Sequence, residues 1–428
     1  MTLVLVVLFG LMLLGIPVAF AILSAGMAYL ATTGGSMLVV AQRLIYGLNS
    51  FTLLAVPLFI LVGNLMDFGG ISKRLADWAK SILGWLPGGL GIVTVFSCAI
   101  FAALTGSGPA TVAAIGSIML PSMLKAGYSR ETSAGLVASA GALGPIIPPS
   151  IPMIYGVTMN LSIPAMFMAG VVPGLVIALA LSLVNVVFAY RNPEVLKHAK
   201  TMKFDFKESM KLFWKALGAL GLPVLILGGI YGGIFTPTES AAVGIVYALI
   251  LGFALKELKV KDLPKILINS LKTSTMVNFI IAAASLFSWV VSKSQIGIVI
   301  SNAFISFVGG SQALYLFVLV VVLLIVGCLM DNVAATLILA PILIPVGIAL
   351  GCNELHIGML FCICLVVGFV TPPFGYNLFT AVSISGLNFK QIVKGALPFL
   401  LTEILLLFVF AYVPGIITWL PRLMGYGY

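Results

Sequence analysis

Long apolar stretches separated by short polar segments occupy nearly the whole chain. A membrane-crossing helix needs about 20 apolar residues, so 428 residues leave room for roughly ten or more crossings. Several stretches are shorter, and stretches of about 10–14 apolar residues are typical of re-entrant or half-helices. The short ones cluster in 92–124 and 313–350, and each cluster is broken by small or polar residues. The pattern therefore predicts an all-α polytopic membrane protein with two re-entrant helical hairpins.

The composition agrees with a membrane protein and excludes several other classes. Hydrophobic residues make up 61% of the chain and charged residues 8%, whereas soluble domains are roughly 25% charged. A soluble enzyme, a disordered chain and a nucleic-acid binder are therefore excluded. The five cysteines lie in apolar surroundings, which favours buried small side chains over metal ligands. No basic segment or cleavage motif precedes the first apolar stretch, so we expect no removable signal peptide.

Basic residues predict which side of the membrane each loop occupies. Seven lysines and arginines lie in 191–215 and five lysines in 256–272, and an excess of these residues marks cytoplasmic loops. The same rule places 70–88 on the cytoplasmic side. Counting crossings from these loops, we expect 92–124 to enter and leave from the cytoplasm and 313–350 from the periplasm. The net charge of +10 is thus expected to reflect the topology of a polytopic inner-membrane protein rather than an acidic ligand.

The two halves of the chain repeat each other at a constant offset of 224 residues. Matched at this offset are Ala110 with Ala334, Pro121 with Pro345, Gly144 with Gly368, and Pro148-Pro149 with Pro372-Pro373. Because the loop charges place the two copies on opposite sides, the repeat is predicted to be inverted. Inverted repeats with broken helices that meet near the midplane are a signature of secondary transporters. A duplicated scaffold with proline kinks and no transport is the alternative.

The repeat and the charges divide the chain into six predicted parts. Scaffold helices with an arm are expected in 1–91, where the arm is cytoplasmic, and in 216–312. The two halves of a transport domain are expected in 92–190, with a hairpin tip at 105–111 and a broken helix at 144–152, and in 313–386, with a hairpin tip at 329–335 and a broken helix at 368–376. A basic cytoplasmic linker in 191–215 and a C-terminal helix in 387–428 complete the chain.

The proline pairs suggest cation sites. Proline has no N–H, so within a helix Pro148 would leave the carbonyl of Gly144 unpaired, and Pro372 that of Gly368. Unpaired carbonyls at membrane depth need a partner, and unwound carbonyls coordinate Na⁺ in transporters. We therefore expect at least two Na⁺ sites, one per repeat. Their expected ligands are Thr105, Ser107, Gly108, Gly144, Pro145, Pro148, Met330, Asp331, Asn332, Gly368, Phe369, Thr371 and Pro372.

The hairpin tips suggest an anion site between the two cations. Ser107 is predicted to cap a half-helix whose first turn contains Pro109, and Asp331 lies at the equivalent position of the second tip. The positive ends of half-helix dipoles suit an anionic group. Simple capping by Ser107 and Thr105, and water-filled kinks at the proline pairs, are the alternatives. The expected substrate residues are Pro109, Thr111, Pro149, Ser150, Pro373 and Asn377.

Few other ionisable residues reach membrane depth. Asp331 is the best functional candidate because it lies in a hairpin tip, and an acid within a membrane is a functional hypothesis by default. Glu239 follows Thr236-Pro237 and is expected to form a capping box. Glu403 is expected at a membrane interface, and His356 in a solvated position.

Several motifs together resemble a known transporter family. They are Gly106-Ser107-Gly108-Pro109-Ala110-Thr111, Gly144-Pro145-Ile146-Ile147-Pro148-Pro149-Ser150, Thr236-Pro237-Thr238-Glu239-Ser240, Thr371-Pro372-Pro373, Val56-Pro57-Leu58-Phe59 and Gly69-Gly70-Ile71. Across nearly the whole chain these motifs resemble the large membrane subunit of tripartite ATP-independent periplasmic (TRAP) transporters, with the sialic acid type among the candidates.

The resemblance implies a Na⁺-coupled elevator transporter of the ion-transporter superfamily. It implies two protein partners, a small four-helix membrane subunit and a periplasmic substrate-binding protein, in addition to membrane lipid. The substrate would be an organic acid of the sialic acid or C4-dicarboxylate class. A Na⁺/carboxylate symporter of the same fold that works without a binding protein is the alternative. No nucleic-acid partner is expected from the composition. No catalytic residue or enzyme activity is expected, because the sequence has no protease or hydrolase motif, and the absence of a P-loop indicates that ATP does not drive this subunit directly.

Overall fold

The computed structural model describes residues 2–147, 150–202, 204–294, 304–306 and 308–427, and within them every regular element is helical. Five α-helices precede the first predicted hairpin. They are α1 (Thr2–Leu13), α2 (Val18–Thr33), α3 (Leu38–Leu48), α4 (Ala55–Phe68), which follows a 3₁₀ turn at Phe51–Leu54, and α5 (Ile71–Leu83). The apolar stretch 2–31 is therefore two helices, because the chain turns at Gly15, where φ is +80°.

The first repeat contains six helices. They are α6 (Gly89–Thr105), α7 (Gly108–Lys125), α8 (Arg130–Ala140), α9 (Leu143–Ile146), α10 (Ile151–Met159) and α11 (Ile163–Tyr190). Helices α6 and α7 form the first hairpin, and the segment from α8 to α10 is the first broken helix.

The middle of the chain adds four helices. They are α12 (Pro193–Thr201), α13 (Phe206–Tyr231), α14 (Pro237–Ala254) and α15 (Leu263–Lys293), which follows a 3₁₀ turn at Val260–Asp262. The basic segment 191–215 thus contains α12 and the first turns of α13. The predicted capping box of α14 is confirmed, since Glu239 N–H donates to Thr236 Oγ1 at 3.3 Å and Thr236 N–H donates to Glu239 Oε2 at 2.8 Å.

The second repeat has a matching order of helices. They are α16 (Gln312–Leu329), α17 (Asn332–Ala349), α18 (Glu354–Gly368), α19 (Tyr376–Ser385), α20 (Phe389–Tyr412) and α21 (Gly415–Leu423). Across the described residues, nine helical stretches are long and apolar enough to cross a membrane. The chain is therefore a multi-pass membrane protein.

The helix boundaries follow the offset seen in the sequence. Helices α7 and α17 each have 18 residues, and their first residues, Gly108 and Asn332, are 224 positions apart. The residue before each helix, Ser107 or Asp331, caps it through a side-chain oxygen. Helices α8 and α18 also begin 224 positions apart. The two halves of the chain therefore build the same hairpin and the same broken helix.

The two halves pack on each other reciprocally. Helix α7 of the first hairpin packs on α19 of the second half, and α17 of the second hairpin packs on α10 of the first half. A Cβ at Gly108 would lie 2.7 Å from Asn377 Oδ1, and one at Gly116 would lie 2.4 Å from Ile384 Cδ1, so α7 and α19 run parallel. Reciprocal contacts of this kind are those made by two copies related by a two-fold axis.

Helices outside the two repeat cores surround them. Helix α15 packs on α2, α3, α4 and α17, and α4 also packs on α14. Asn64 Nδ2 donates to Ser270 Oγ at 2.8 Å and joins α4 to α15. Helix α5 packs on α6 and α13, and Arg74 pairs with Glu257 at 3.1 Å. We call α4 and α15 the scaffold wall, and α6–α10 with α16–α19 the block.

Candidate functional site

The first hairpin tip is a sharp turn capped by a hydroxyl. Gly106 has φ of +60°, a conformation that favours glycine, and a Cβ there would lie 2.5 Å from Ser150 Cβ. Ser107 then caps α7 by accepting a hydrogen bond from Ala110 N–H at 3.4 Å. The Ser107 carbonyl accepts from the Thr111 hydroxyl at 2.8 Å. The predicted cap is therefore confirmed, with Pro109 in the first turn.

Thr105 closes the other side of this tip. Its hydroxyl donates to the carbonyl of Phe101 at 3.2 Å and lies 3.3 Å from Thr111 Oγ1. A hydroxyl oxygen retains lone pairs when it donates, so it can still accept a ligand. Capping and helix back-bonding account for both hydroxyls in this structure, and a cation role for them stays a prediction.

The second tip places an acid at the equivalent position. Asp331 Oδ1 accepts from Val333 N–H at 2.9 Å and from Ala334 N–H at 3.4 Å. Met330 precedes it in an extended conformation and ends α16. Asn332 is 1% exposed, and neither its Oδ1 nor its Nδ2 has a hydrogen-bond partner among the described residues. A buried amide without partners costs free energy, so this side chain is available to a ligand.

The first broken helix passes directly behind the first tip. Helix α9 ends at Ile146, and α10 begins after Ser150, whose carbonyl accepts from Met153 N–H at 3.2 Å. A Cβ at Gly144 would lie 2.8 Å from the Ser107 carbonyl oxygen, so only glycine permits this approach. Two predicted site residues between these helices, Pro148 and Pro149, lie outside the described residues.

In the second broken helix, the proline pair does not leave carbonyls unpaired as predicted. Pro372 and Pro373 lie in a turn between α18 and α19, not within a helix. The carbonyl of Gly368 accepts from Thr371 N–H at 3.0 Å, and that of Phe369 accepts from Asn377 N–H at 3.0 Å. Neither carbonyl is left unpaired, because the chain folds back and supplies its own donors. Each retains a second lone pair that could still reach an ion.

Asn377 connects the two repeats. The side chain is fully buried, and Nδ2 donates to the Ala138 carbonyl of α8 at 3.0 Å. Its Oδ1 has no partner among the described residues and faces Gly108. A Cβ at Gly141 would lie 3.2 Å from both Asn377 Nδ2 and the Gly108 carbonyl oxygen. An amide oxygen and backbone carbonyls therefore meet where α7, α8 and α19 converge.

A cavity of about 210 Å³ separates both tips from the scaffold wall. The polar side comes from the block and includes Thr105, Ser107, Ser150, Asp331, Asn332 and Tyr376. The opposite side comes from α4 and α15 and is apolar except for Thr273. No lysine or arginine is among the described residues that line it, so Asp331 is the one charged side chain found in this lining.

Nine of the nineteen predicted site residues line this cavity. They are Thr105, Ser107, Gly108, Pro109, Pro145, Ser150, Asp331, Asn332 and Phe369. The other described residues of that set lie behind the lining or in the turn beyond it, namely Thr111, Gly144, Met330, Gly368, Thr371, Pro372, Pro373 and Asn377. The structure therefore gathers both tips at one cavity, while ion and substrate roles remain predictions.

The sequence did not reveal the far side of the cavity. Phe59 of α4 and Met276 and Ile280 of α15 line it, but in the sequence they look like any other apolar membrane residue. Tyr376 also lines the cavity and its ring lies 5.2 Å from that of Phe369. Tyr376 directly precedes the predicted substrate residue Asn377, and that adjacency could have identified it as a candidate.

Two expectations about ionisable residues were wrong. His356 is 2% exposed rather than solvated, and its Nε2 lies 2.8 Å from the Phe410 carbonyl oxygen. Glu403 is fully buried rather than interfacial. Both lie on faces that pack against neighbouring helices, which local hydropathy does not report. Among the described residues, no group of three or more His, Cys, Asp or Glu side chains could hold a metal ion.

Comparison with known proteins gives matches along almost the entire chain. Residues 5–416 match the family described as "Tripartite ATP-independent periplasmic transporter, DctM component". The isethionate TRAP transporter permease protein DctMQ of Oleidesulfovibrio alaskensis is 39% identical over 95% of this chain, and the chain spans 64% of that relative's length. The C4-dicarboxylate TRAP transporter large permease protein DctM of Pseudomonas aeruginosa is also 39% identical, over 94% of each chain.

A more distant relative and a solved structure extend these matches. The sialic acid TRAP transporter large permease protein SiaM of Vibrio cholerae is 34% identical over 98% of each chain. The YdaH transporter of Alcanivorax borkumensis, reported to have an unusual topology, aligns with a TM-score of 0.58 and 15% identity over 94% of this chain and 89% of its own. At that identity the structural match establishes the fold alone.

Proposed function

The chain belongs to the DctM-component family of TRAP transporters, and from that membership we propose that it imports an organic acid across the bacterial inner membrane by Na⁺ symport. The observation that carries the proposal is the cavity at which both hairpin tips meet. Its polar groups come from the block, and several buried amide atoms beside it have no hydrogen-bond partner among the residues that the structure describes.

The first Na⁺ site is proposed beside Asn377. Na⁺ binds to oxygen atoms, and carbonyls of unwound segments are its usual ligands in transporters. Asn377 Oδ1 is buried without a hydrogen-bond partner among the described residues, and it faces Gly108 in the first turn of α7. A cation there would satisfy an oxygen that is otherwise costly to bury. This places the ion at the contact between the two repeats.

The second Na⁺ site is proposed at the tip of the second hairpin. Asp331 contributes a carboxylate, and the adjacent Asn332 contributes a buried amide oxygen that has no partner in the described part of the chain. Asp331 already accepts two backbone hydrogen bonds, which hold the carboxylate in place. A negative side chain at the cavity lining would attract Na⁺ and would repel the carboxylate of a substrate unless the cation were bound first.

The substrate is proposed to be a small organic acid. The named substrates of similar proteins are C4-dicarboxylates, isethionate and sialic acid, which all carry an acidic group. No basic side chain was found among the described residues that line the cavity. The amide end of α7 and bound Na⁺ would therefore have to balance the substrate's charge. Coupling follows, because the substrate binds well only when Na⁺ is present.

Transport is proposed to proceed by an elevator movement of the block. The ligand groups belong to the block, whereas the apolar scaffold wall closes the cavity from the other side. A largely apolar surface offers few hydrogen bonds that would hold the block in one position. A small membrane subunit and a periplasmic substrate-binding protein would complete the transporter. The alternative is the same symport without a binding protein.

Uptake by the purified membrane subunits in proteoliposomes tests the coupling to Na⁺ and the need for a binding protein. We expect uptake of the binding protein's ligand when external Na⁺ and the loaded binding protein are both supplied. Unchanged uptake with K⁺ in place of Na⁺ on both sides would contradict Na⁺ coupling. Unchanged uptake of substrate without the binding protein would favour the alternative.

The Asp331→Asn variant sharpens the assay for the second cation site. Asparagine retains an oxygen that can accept the capping hydrogen bonds of α17, so the helix should keep its start. Only the charge is lost. We expect a weaker apparent affinity for Na⁺ with normal expression. The capping variant Ser129→Ala, at α8 and away from the cavity, controls for the loss of a helix cap. Wild-type Na⁺ dependence of Asp331→Asn would remove Asp331 from the site.

A further inference from the structure

A fully buried acid lies outside the cavity just described. Glu403 is in the middle of α20, its side chain is 0% exposed, and neither carboxyl oxygen has a hydrogen-bond partner among the described residues. The one ion pair found among those residues, Arg74 with Glu257, is elsewhere. A buried ionised carboxylate without a partner is strongly disfavoured, so the group must be neutral or hold a cation.

A second buried polar atom without a hydrogen-bond partner lies on α8, the helix that packs most extensively on α20. Ser139 is also 0% exposed, and its hydroxyl has no partner among the described residues. A Cβ at Gly135 would lie 2.4 Å from Ala396 N, so this face of α8 packs directly on α20. Ser139 follows Gly135 by four residues, and Glu403 follows Ala396 by seven. Both spacings return to the same helix face.

The direction of the two helices brings these residues to a similar level. Helices α7 and α19 are parallel, and each is followed by a short turn into α8 or α20. Helices α8 and α20 are therefore parallel to each other. With Gly135 beside Ala396, Ser139 comes level with residues near 400. The Glu403 side chain leans toward the N-terminus of its helix, and hence toward that level.

The surroundings of Glu403 offer it no charged partner. Helices α8, α11, α16, α18 and α19 pack on α20. Their titratable or charged residues are Arg130, Glu131, Tyr190, Tyr315, Cys328, Glu354, His356, Cys362, Cys364 and Tyr376, and none of them hydrogen bonds to Glu403. On α20 itself, the other titratable residues, Lys390, Lys394 and Tyr412, lie at least nine residues away.

We propose that Glu403 and Ser139 form a proton-binding site, in which Glu403 is held as a neutral carboxylic acid between α20 and the block. A neutral carboxyl has one O–H donor, and a serine hydroxyl can both accept and donate. A Na⁺ ion would need more oxygen ligands than these two side chains supply. The neighbours Phe399, Leu400 and Leu407 on the same buried face are apolar.

Transport should therefore depend on this proton. Loss of the proton would leave a negative charge between α8 and α20, and α8 also carries the Ala138 carbonyl that holds Asn377. Uptake by the wild-type protein should fall as the pH rises, by at most tenfold per pH unit because a single proton is involved. Glutamine resembles the protonated acid in shape but cannot ionise, so Glu403→Gln should not show this fall.

Infrared spectroscopy of the full chain in lipid nanodiscs tests the protonation state directly. We expect a carboxylic-acid C=O band at neutral pH that disappears in Glu403→Gln and persists in Glu208→Gln, an exposed acid at the start of α13. A spectrum in which Glu403→Gln loses only carboxylate bands would overturn the proposal, because Glu403 would then be ionised. Parallel uptake assays should show the pH response in wild type and Glu208→Gln only.

Ser139→Ala provides a second test that does not alter the acid. Removal of the hydroxyl should shift the acid band while leaving it present, since the carboxyl loses its facing polar group. An unshifted band would remove Ser139 from the site. If Glu403→Gln does not fold, Glu403→Met serves as a neutral replacement of similar length, and the same loss of the acid band is required. The test does not depend on Na⁺ coupling, so its failure is distinguishable from failure of the proposed symport.

Discussion

Replacing Gly106 with alanine should disrupt the first hairpin tip for two separable reasons. Gly106 has φ of +60°, and a residue with a Cβ loses about 1–2 kcal/mol in that conformation. Its new Cβ would also lie 2.5 Å from Ser150 Cβ and 3.3 Å from Ser150 Cα. These atoms belong to or adjoin the backbone, so no side-chain rotation relieves the overlap. Overpacking of this kind costs about 1–3 kcal/mol, which brings the total to about 2–5 kcal/mol.

Two control variants separate the cost of the positive φ from the cost of the overlap with Ser150. Gly386→Ala has a similar φ of +68° but no atom within 4 Å of the new Cβ, so it carries only the conformational cost. Gly10→Ala has neither a positive φ nor a neighbour within 4 Å, and should behave as wild type. The apparent unfolding temperature in detergent should therefore decrease in the order Gly10→Ala, Gly386→Ala, Gly106→Ala.

Uptake provides the functional measurement. Gly106 and Ser150 both line the cavity, so the tip must move away from α10 to accommodate the methyl group. A displacement worth about 1–3 kcal/mol lowers the population of the competent tip by about fivefold to over a hundredfold. We expect uptake to fall by about fivefold or more in Gly106→Ala and little in Gly386→Ala. Equal unfolding temperatures and equal uptake for these two variants would refute the close approach of the tip to Ser150.

Three further predictions concern the site, the topology and the movement. Asn332→Leu should abolish uptake while keeping or raising the unfolding temperature, because leucine removes a buried amide that has no partner within the described ranges. A loss of stability would instead indicate a structural role. Lys207 is an exposed position in the basic segment 191–215. A single cysteine placed there in a cysteine-less variant should resist impermeant thiol reagents added to intact cells, because the segment is predicted to be cytoplasmic. Ready labelling would invert the predicted topology. A disulfide between facing positions of α15 and α17, which pack on each other, should stop uptake until it is reduced, whereas full uptake with the disulfide formed would contradict an elevator movement.

Local features of the fold were predictable from sequence because they depend on neighbouring residues. The Ser107-Gly108-Pro109 segment predicted a helix start, and Thr236 with Glu239 predicted a capping box. The offset of 224 residues predicted that α17 would begin where α7 begins in the first repeat. Helix caps, prolines and repeats depend on a few adjacent residues, so they can be identified without knowledge of what packs against them.

Features that depend on distant contacts were not predictable. The carbonyl of Gly368 was expected to lack a donor, yet Thr371 supplies one through a turn that the proline rule does not describe. The apolar side of the cavity comes from α4 and α15, whose residues look the same in sequence whether they face lipid or a cavity. For the same reason the burial of Glu403 was missed, since it depends on α8 and not on its own neighbours.

Reciprocal packing of the two halves also constrains how the protein is made. Helix α7 packs on α19, and Asn377 follows Gly108 by 269 residues in the chain. At about 5–20 residues per second, the ribosome needs roughly 15 to 50 seconds to synthesise the intervening segment. During that time the first hairpin is in the membrane without the helix that covers its tip. Biogenesis therefore includes a period in which the first hairpin tip lacks the helix that packs on it, and a chain stalled before residue 377 should leave a cysteine placed in that tip more reactive toward a small thiol reagent than in the complete chain.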